Sequence, residues 1–492
     1  MEYETIIGLE VHAQLTTRSK MYCGCSTDYV DAPPNTHVCP VCLGMPGVLP
    51  VINRQAIEYN IMTGLALHCE IPENTKFDRK NYPYPDLMKG YQISQYDMPL
   101  CLEGWLEVET EEGGTRRIGI TRVHQEEDVA KMVHRTDPSG ESCSLIDVNR
   151  AGVPLMEIVS EPDIRSPEEA RQYLMKLRSI LRYLGVSTAD MEKGSFRCDA
   201  NISIRPKGST EWPPKVEVKN MNSFRAVFRA LSYEEERQRK ALEKGERLVQ
   251  ETRGWVEERG VTVSHRSKEE AQDYRYFPEP DLPPLVVSRE WVEELRARLP
   301  ELPDARRERF VEQYALSGYD AEQITALKEQ ADYYEKCVAL FPQNGDGGKN
   351  AKTVANWMLG EMARLLNATG IEIDDVKVKP EHLVEMIGLV ESGTLSINMA
   401  KTVFEEMFNT GKRAPDVVKE KGMAQISGAS ELEGAVEKVL AENQQAVDDY
   451  HEGKEQALKF LMGQVMRATK GQANPKVVGE LLQKKLGEGQ RV

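Results

Sequence analysis

The chain has 492 residues and a formal net charge of −16; 40% of its residues are hydrophobic and 29% are charged. This length predicts two to four domains of roughly 100–200 residues each, and the composition excludes a wholly disordered chain. The longest apolar runs are far shorter than the ~18–20 residues that cross a bilayer. The acidic start MEYETIIGLEVH contains no signal for secretion, so we expect a cytoplasmic protein.

An alternating run over residues 5–15 predicts the first strand. With a period of two, Glu10 and His12 share one face of this strand, about 7 Å apart at ~3.3 Å per residue. A carboxylate and an imidazole so placed can hold one metal ion or flank one substrate. A solvent-facing side of a strand gives the same pattern, so both interpretations stay open.

Four of the nine cysteines follow in two close pairs, Cys23 with Cys25 and Cys39 with Cys42. The odd total in a chain without a secretion signal argues against a disulfide framework. Two short pairs joined by a loop are typical of a zinc ion held by four thiolates, which leave no open coordination position for chemistry. We predict a structural zinc site, with unrelated reduced cysteines or a redox pair as the alternatives. His37 is a spare ligand that four cysteines do not need.

Lys80 and Lys89 lie in a polar, aromatic run, where they could hold phosphate or line a polar passage. Residues 125–128 read Gln-Glu-Glu-Asp directly after a strand predicted over 117–124. A nearby cation would stabilise these adjacent carboxylates; an exposed acidic turn is the alternative. Glu157 stands alone in the apolar run 155–159, where an unpaired charge is costly, so it needs a metal or an arginine partner. Several glutamates with one histidine favour Mg²⁺ or Mn²⁺ over zinc.

A helix is predicted over residues 166–185, because Ser166 can cap its start and Gly185 can end it. Alternating strands follow over 197–205 and 215–219, and the first places Arg197, Asp199 and Asn201 on one face. Several strands with a polar face predict a sheet that cups a ligand. The first half is therefore α+β with a large, mostly antiparallel sheet, and the chain is almost entirely helical from about residue 289.

Several motifs are absent from the sequence. It contains no phosphate-binding GxxxxGK[ST] loop, no GxSxG, HExxH or GxGxxG motif, and no evident cysteine nucleophile for splitting glutamine. A reaction that needs ammonia would have to receive it from another chain.

The C-terminal end is more basic than the rest of the chain. Residues 411–492 hold 13 Lys or Arg against 12 Asp or Glu. Within 460–492 the basic residues are Arg467, Lys470, Lys476, Lys484, Lys485 and Arg491. A solvated helical surface would explain this group of basic residues, and so would contact with a polyanion.

Taken together and in order, these segments resemble the B subunit of the tRNA-dependent amidotransferases (GatB). The resemblance is carried by IGLEVH at 7–12, FDRKNY at 77–82, HQEED at 124–128, EIVSEPDIR at 157–165, RCDAN at 197–201 and DYRYFPEPD at 273–281. The segment GQANP at 471–475 is similar to the YqeY-like tail of that family.

The resemblance implies a heterotrimer that also contains an amidase subunit, which supplies ammonia, and a small third subunit. It implies an ATP-dependent carbon–nitrogen ligase, active only in the complex, with glutamine as amido donor. This chain would phosphorylate the side-chain carboxylate of Glu-tRNA(Gln), Asp-tRNA(Asn) or both, and ammonia channelled from the amidase would displace the phosphate. Acyl phosphate formation supplies the leaving group that a carboxylate lacks, and Mg²⁺ offsets the charge on the phosphoryl group. A non-discriminating aminoacyl-tRNA synthetase is a further expected partner.

The resemblance also implies residue roles. The magnesium ligands would be Glu10, His12, Glu126, Glu127 and Glu157, and all of these except Glu126 would be catalytic. The cofactor-binding residues would be Lys80, Lys89, Arg197, Asp199 and Asn201. The two lysines match family positions along the ammonia route. The four cysteines match the zinc-bearing branch of the family.

The implied domains are a cradle over 1–293 with its zinc loop at 23–42, a helical domain over 294–410 and a YqeY-like tail over 411–492. The cradle would hold the 3′ end of the tRNA, and the tail would bind the tRNA body. Two alternatives stay open: a non-catalytic scaffold that docks tRNA, and a free-standing metal-dependent phosphotransferase.

Overall fold

A computed structural model describes residues 2–110, 113–267, 273–341, 347–423, 429–452, 454–469, 473 and 475–488. The chain forms two units, Met1–Pro303 and Asp304–Val492. The first unit contains all the described strands, and the second is helical.

The strands of the first unit follow one another at short intervals. They are β1 (Tyr3–Gln14), β2 (Asn74–Thr75), β3 (Asp78–Asn81), β4 (Tyr91–Ser94), β5 (Cys101–Glu109), β6 (Thr115–Glu127), β7 (Lys131–Thr136), β8 (Ser142–Asp147), β9 (Pro154–Ser160), β10 (Phe196–Pro206), β11 (Val216–Lys219), β12 (Glu251–Val256), β13 (Val261–Ser267), β14 (Phe277–Pro278) and β15 (Leu285–Val286).

Eight of these strands form the main sheet, in the order β13-β12-β11-β10-β1-β9-β6-β5. Neighbouring strands are antiparallel except β11 and β12, which are parallel. A smaller sheet of β14, β3 and β4 and a hairpin of β7 and β8 accompany it. The predicted large, mostly antiparallel sheet is therefore confirmed.

The helices of the first unit are α1 (Arg54–Ala66), α2 (Pro167–Leu184), α3 (Phe224–Glu243) and α4 (Arg289–Ala297), and Val148–Arg150 forms a 3₁₀ turn. The predicted second helix is confirmed: the Ser166 hydroxyl accepts the Glu169 amide at 3.1 Å, and Gly185 ends the helix at φ 68°. These helices share one apolar core with alternate residues of β1, among them Ile7, Leu9 and Val11. The sheet therefore buries one face under the helices, and the polar residues of β1 and β10 lie on the other face.

The second unit is helical throughout its described residues. Its helices are α5 (Pro303–Tyr314), α6 (Gly318–Thr325), α7 (Lys328–Ala339), α8 (Gly347–Trp357), α9 (Ala363–Thr369), α10 (Pro380–Glu391), α11 (Ile397–Thr410), α12 (Ala414–Lys421), α13 (Ala429–Glu442), α14 (Gln444–His451), α15 (Glu455–Ala468) and α16 (Pro475–Glu488). Met358–Met362 is a π-helical turn, and Ile373–Asp375 is a 3₁₀ turn.

Two apolar cores serve these helices, one over residues 310–418 and one over 432–486. Helix α12 contributes Ala414, Val417 and Val418 to the first of them. Among the described helices, none has both the length and the apolar character needed to cross a bilayer. Of the predicted tail motif at 471–475, only Ala473 and Pro475 belong to the described residues.

One predicted strand boundary is wrong. We expected the strand at 117–124 to end before the acidic residues, but β6 continues to Glu127 because it pairs with β9 as far as Pro154. Glu126 and Glu127 therefore lie within a strand and are buried, so the alternative of an exposed acidic turn is excluded. Their side chains point to opposite sides of the sheet, as successive residues of a strand do.

Candidate functional site

The polar face of the sheet carries a row of ionisable side chains across four neighbouring strands. His12 of β1 pairs with Arg197 of β10 on one side and with Glu157 of β9 on the other. Glu157 in turn pairs with His124 of β6. Because directly opposed residues of antiparallel strands project to the same face, the register alone aligns Arg197, His12, Glu157 and His124.

The two histidines of this row lie beside two buried glutamates. His12 Nε2 lies 3.3 Å from Glu157 Oε2 and 4.0 Å from Glu126 Oε2. His124 Nε2 lies 3.4 Å from the same Glu157 oxygen and 3.5 Å from Glu126 Oε1. Glu126 stands two residues after His124 on β6, so both share this face. We call His12, His124, Glu126 and Glu157 the acid–histidine cluster.

Polar groups of the smaller sheet complete the surroundings of Glu126. Ser94 Oγ donates to Glu126 Oε1 at 2.7 Å, and Gln92 Nε2 donates to Glu126 Oε2 at 3.2 Å. Lys80 Nζ lies 3.8 Å from Glu126 Oε1. Burial of this charge is thus offset by two hydrogen bonds and a cation, which together favour the ionised form.

The charges of the cluster stabilise one another against burial. Burial lowers the pKa of both histidines, but Glu157 and Glu126 outweigh it, so the pKa of His12 is raised and that of His124 is raised to about 9. Burial raises the pKa of both carboxyls. Lys80 and His124 together lower that of Glu126 to about 2, and the two histidines lower that of Glu157 well below its usual value. Both acids are therefore ionised at neutral pH, and His124 carries a proton.

His12, Glu126 and Glu157 offer one ligand atom each, and these atoms lie within 4.8 Å of one another. Adjacent ligands of an octahedral ion with ~2.1 Å bonds lie about 3.0 Å apart, and opposite ones about 4.2 Å apart. The His12 distances of 3.3 and 4.0 Å are close to these values. Two ionised carboxylates with one imidazole thus fit a small divalent cation that keeps several water ligands.

Glu10 and Glu127 do not join this group. Glu10, two residues before His12, accepts a hydrogen bond from Asn201 Nδ2 at 3.2 Å. Glu127 points to the opposite side of β6, where its carboxylate forms an ion pair with Lys89 and accepts the Ile93 amide at 3.0 Å. The contacts of Glu10 and Glu127 therefore give no support to their predicted roles as metal ligands, which remain predictions.

The cofactor-binding candidates on β10 lie along the same face as His12. Arg197 Nη2 lies 3.0 Å from Asp128 Oδ2, and the same oxygen accepts Gln14 Nε2 at 2.7 Å. Asp199 forms an ion pair with Lys219 of β11. Asp128 is buried, so it holds Arg197 in a fixed orientation beside the cluster.

Lys80, the candidate on β3, has aromatic neighbours that the sequence analysis did not assign to the site. Its Nζ lies 5.2 Å from the centre of the Tyr274 ring, which contacts Tyr82 and Tyr276 at ring distances of 5.7 and 6.1 Å. Burial lowers the pKa of Lys80, but Glu126 outweighs it and the net pKa is raised. The lysine therefore stays charged within an aromatic enclosure.

The four predicted zinc ligands converge. The sulfur atoms of Cys23, Cys25, Cys39 and Cys42 lie within 4.8 Å of one another. The Cys39–Cys42 and Cys25–Cys42 separations are 3.6 and 3.9 Å. A tetrahedron with ~2.3 Å metal–sulfur bonds has edges of about 3.8 Å, so the four thiols fit a zinc ion.

Polar neighbours favour a thiolate at Cys42. A hydrogen bond from Cys23 and the nearby Lys20 charge lower the pKa of Cys42 to about 4. The Cys39 amide also donates to Cys42 Sγ at 3.1 Å. His37, the spare ligand, lies outside the cysteine group, and its Nδ1 is 3.4 Å from the Ser26 carbonyl oxygen.

Comparison with known proteins agrees with this architecture. Residues 5–293 match the GatB/GatE catalytic domain, and residues 339–486 match the GatB domain. The chain belongs to the GatB family. The family predicted from the sequence is therefore confirmed over both matched regions.

Curated GatB relatives align over almost the entire chain. A protein of Dehalococcoides mccartyi is 60% identical over 491 residues, which cover 99% of this chain and all of the relative. Proteins of Carboxydothermus hydrogenoformans and Thermomicrobium roseum are each 57% identical over 487 residues, with 99% of both chains covered. Each of these relatives is named as the B subunit of an aspartyl/glutamyl-tRNA(Asn/Gln) amidotransferase.

His124 is the member of the cluster that was not predicted from the sequence. His124 and Glu126 are two residues apart, which in a strand is the spacing of Glu10 and His12. This two-residue spacing is visible in the sequence. The predicted strand ends at His124, however, so Glu126 falls outside it. The correct end of β6 would have placed both side chains on one face.

Proposed function

We propose that this GatB chain activates and amidates the side-chain carboxylate of Glu-tRNA(Gln), Asp-tRNA(Asn) or both, within a heterotrimeric glutamine-dependent amidotransferase. One observation carries the proposal: the acid–histidine cluster lies on the polar face of the catalytic-domain sheet. The names of the relatives supply the class of substrate.

Activation of the carboxylate requires a leaving group. The carboxylate oxygen would attack the γ-phosphorus of ATP, and ADP would leave, so that the acid becomes an acyl phosphate. His12, Glu126 and Glu157 would hold Mg²⁺, which when bound offsets negative charge on the phosphoryl oxygens. Arg197 supports binding of these oxygens, because only some of its donors are used by Asp128. Asp199 and Asn201 extend the same polar surface along β10.

Amide formation requires ammonia with a free electron pair. Its nitrogen would attack the acyl carbon, the phosphate would leave, and a base would take the released proton. Glu127 is our candidate acceptor of protons from any ammonium that forms along the route, because its buried carboxylate faces Lys89 on the side of β6 away from the cluster. The half-buried positions of Lys80 and Lys89, on the two sides of β6, support a route for ammonia that restricts access of bulk water.

The other predicted roles follow from this assignment. The amidase would release ammonia from glutamine, the small third subunit would complete the assembly, and the complex would act in the cytoplasm. The cradle over 1–293 would hold the tRNA 3′ end, with the helical domain over 294–410 and the tail over 411–492 holding the tRNA body. The zinc ion would stabilise the loop of residues 23–42 and take no part in the chemistry.

The test uses the chain assembled with the amidase and the small third subunit. ATP- and glutamine-dependent conversion of Glu-tRNA(Gln) would be measured for wild type, His12→Ala and Glu127→Gln. We expect losses of at least about 100-fold in transamidation, with tRNA binding unchanged and the glutaminase protein intact. Glu107→Gln is the matched control, because Glu107 forms an exposed ion pair with Arg117 on the same sheet. Full turnover of both variants at limiting Mg²⁺ would favour the scaffold alternative.

The tail requires a separate test. Arg467 and Lys484 are exposed, whereas Lys485 pairs with Glu437, and Lys470 and Arg491 lie outside the described residues. Removal of residues 424–492 keeps helix α12, which belongs to the preceding core. We expect weaker tRNA binding and a flatter dependence of affinity on salt, because fewer phosphates are neutralised. An unchanged salt slope would remove the tail from the tRNA-binding surface.

A further inference from the structure

The loop that carries the four cysteines contacts Lys89 on two sides. Tyr22, directly before Cys23, has its ring centre 5.7 Å from Lys89 Nζ. On the other side, Gly44 packs so closely that a Cβ atom there would lie 2.5 Å from Lys89 Cγ and 2.9 Å from Lys89 Cα. We call residues 20–45 the cysteine loop. Its two ends therefore bracket the side chain whose ammonium pairs with Glu127.

The same loop also reaches the neighbourhood of Glu127. A Cβ atom placed on Gly152 would lie 3.4 Å from Lys20 Cδ, 3.8 Å from Cys42 Cβ and 3.8 Å from Glu127 Oε2. These three side chains thus converge on one glycine. Lys20 is fully buried, and its Nζ donates to the His37 carbonyl oxygen at 2.7 Å, which ties the middle of the loop to this region.

A small apolar cluster joins the cysteine loop to the segment before Lys89. Val38 and Leu43 of the loop pack with Met88 and with Ala130, which follows β6. The Ala130 amide also donates to the Asp86 carbonyl at 3.0 Å. Movement of the loop would therefore move the backbone that carries Lys89.

Little regular structure stabilises the loop itself. Between β1 and α1 the described residues contain no helix or strand, and only an isolated bridge joins Ser19 and Ser26. A loop without its own hydrogen-bond ladder keeps one conformation only if cross-links or packing restrict it. Four thiolates on one zinc ion are such a cross-link.

We infer that the zinc centre holds the Lys89–Glu127 pair in place, and that Tyr22 and Gly44 are positioning residues for amide transfer. The inference rests on the proposed zinc site, and its activity readout rests on the proposed function. In this view zinc takes no part in the chemistry. Its loss loosens Lys89, the lysine that pairs with Glu127, and leaves the acid–histidine cluster intact.

The first test measures Lys89 without using activity. The assembled complex is treated with an amine-acylating reagent before and after zinc removal by a chelator, and labelling of each lysine is followed by peptide mass spectrometry. We expect Lys89 labelling to rise severalfold on zinc removal, because a loop that opens more often exposes the amine more often. Lys76 is the internal control, because it is also partly buried and ion-paired but lies outside the loop contacts.

The second test separates the Lys89 contact from backbone strain. Gly44→Ala adds a methyl group against Lys89 at φ +65°, whereas Gly47→Ala adds one at φ +84° with no atom within 4 Å. Gly44→Ala and Gly47→Ala both place an alanine in the left-handed region of backbone conformation. Gly24→Ala adds neither this strain nor a close contact. Zinc content, Lys89 labelling, ADP formation and glutamine-dependent amidation would be measured for all three.

We expect all three variants to retain zinc. Gly44→Ala alone should raise Lys89 labelling and lower amidation by up to about 100-fold, as a displacement of about 1 Å does, with ADP formation nearly unchanged. Equal Lys89 labelling in zinc-bound and zinc-free protein, or equal effects of Gly44→Ala and Gly47→Ala, would overturn the inference while leaving the zinc site standing. A purified complex without zinc would overturn the zinc site and the inference together.

Discussion

Replacing Glu157 by glutamine should destabilise the metal-free protein, and the loss should depend on pH. Glu157 contacts both histidines of the cluster: its Oε2 lies 3.3 Å from His12 Nε2 and 3.4 Å from His124 Nε2. Its charge is the largest of the influences that raise the pKa of His124 to about 9 against the opposing effect of burial. Without that charge, only Glu126 opposes the effect of burial, so the pKa of His124 should fall.

The size of this loss in folding free energy can be worked out from the pKa shift of His124 alone. Raising the pKa of His124 from 6.5 to about 9 corresponds to about 3 kcal/mol of folding free energy. Because the folded pKa exceeds the unfolded value, this stabilisation is complete below pH 6.5 and is lost as the pH rises through about 9. Because Glu126 produces part of this shift, the difference between wild type and Glu157→Gln should be at most about 3 kcal/mol near pH 7 and below about 1 kcal/mol at pH 9.5.

Urea unfolding of the full chain with a chelator, followed at both pH values, measures this difference. Because the chain has two units, a signal from the first is needed. In a Trp357→Phe background the four remaining tryptophans all lie in the first unit, so their fluorescence supplies it. Glu107→Gln is the matched control and should change the free energy of unfolding by less than about 1 kcal/mol, as an exposed ion pair does. An equal loss at both pH values in Glu157→Gln would refute the electrostatic reasoning.

Three further outcomes can be checked by simple measurements. Cys42→Ser should abolish zinc binding, whereas Cys143→Ser, which lies outside the cysteine group, should retain it when metal content is measured. Tyr22→Phe should stabilise the protein by about 1 kcal/mol in thermal unfolding, because the buried Tyr22 hydroxyl has no hydrogen-bond partner among the described residues; a lower midpoint would reveal a partner. Arg79→Ala should cost about 3–5 kcal/mol, since Arg79 Nε lies 2.6 Å from the fully buried Glu279 carboxylate; a loss below about 1 kcal/mol in urea unfolding would contradict this.

Much of the local structure could be predicted because local spacing determines it. The alternation around Glu10 and His12 requires that both share a face, and β1 places them so. Ser166 and Gly185 mark the ends of α2, because each supplies the cap that a helix terminus lacks. The two close cysteine pairs indicate a common site, because a structural zinc ion needs four ligands and each pair can supply two.

The composition of the candidate site could not be derived in the same way. Glu157 is brought to His12 by the register of β1 with β9, and to His124 by the register of β9 with β6. Such pairing depends on which strands become neighbours and how far each extends. The extension of β6 to Glu127 turned one predicted cluster of acids into two sites, with Glu126 facing His12 and Glu127 facing Lys89.

The sequence by itself thus determined the family, several of the strands and the helix α2, and the faces of β1 and β10 that carry their polar groups. Only the tertiary structure decided that His124 belongs to the cluster, that Glu10 turns to Asn201, and that the cysteine loop encloses Lys89. The physical reason is the separation along the chain over which each interaction acts. Periodicity and caps act over a few residues, whereas side chains far apart in the chain meet only after cross-strand register and close packing have been established.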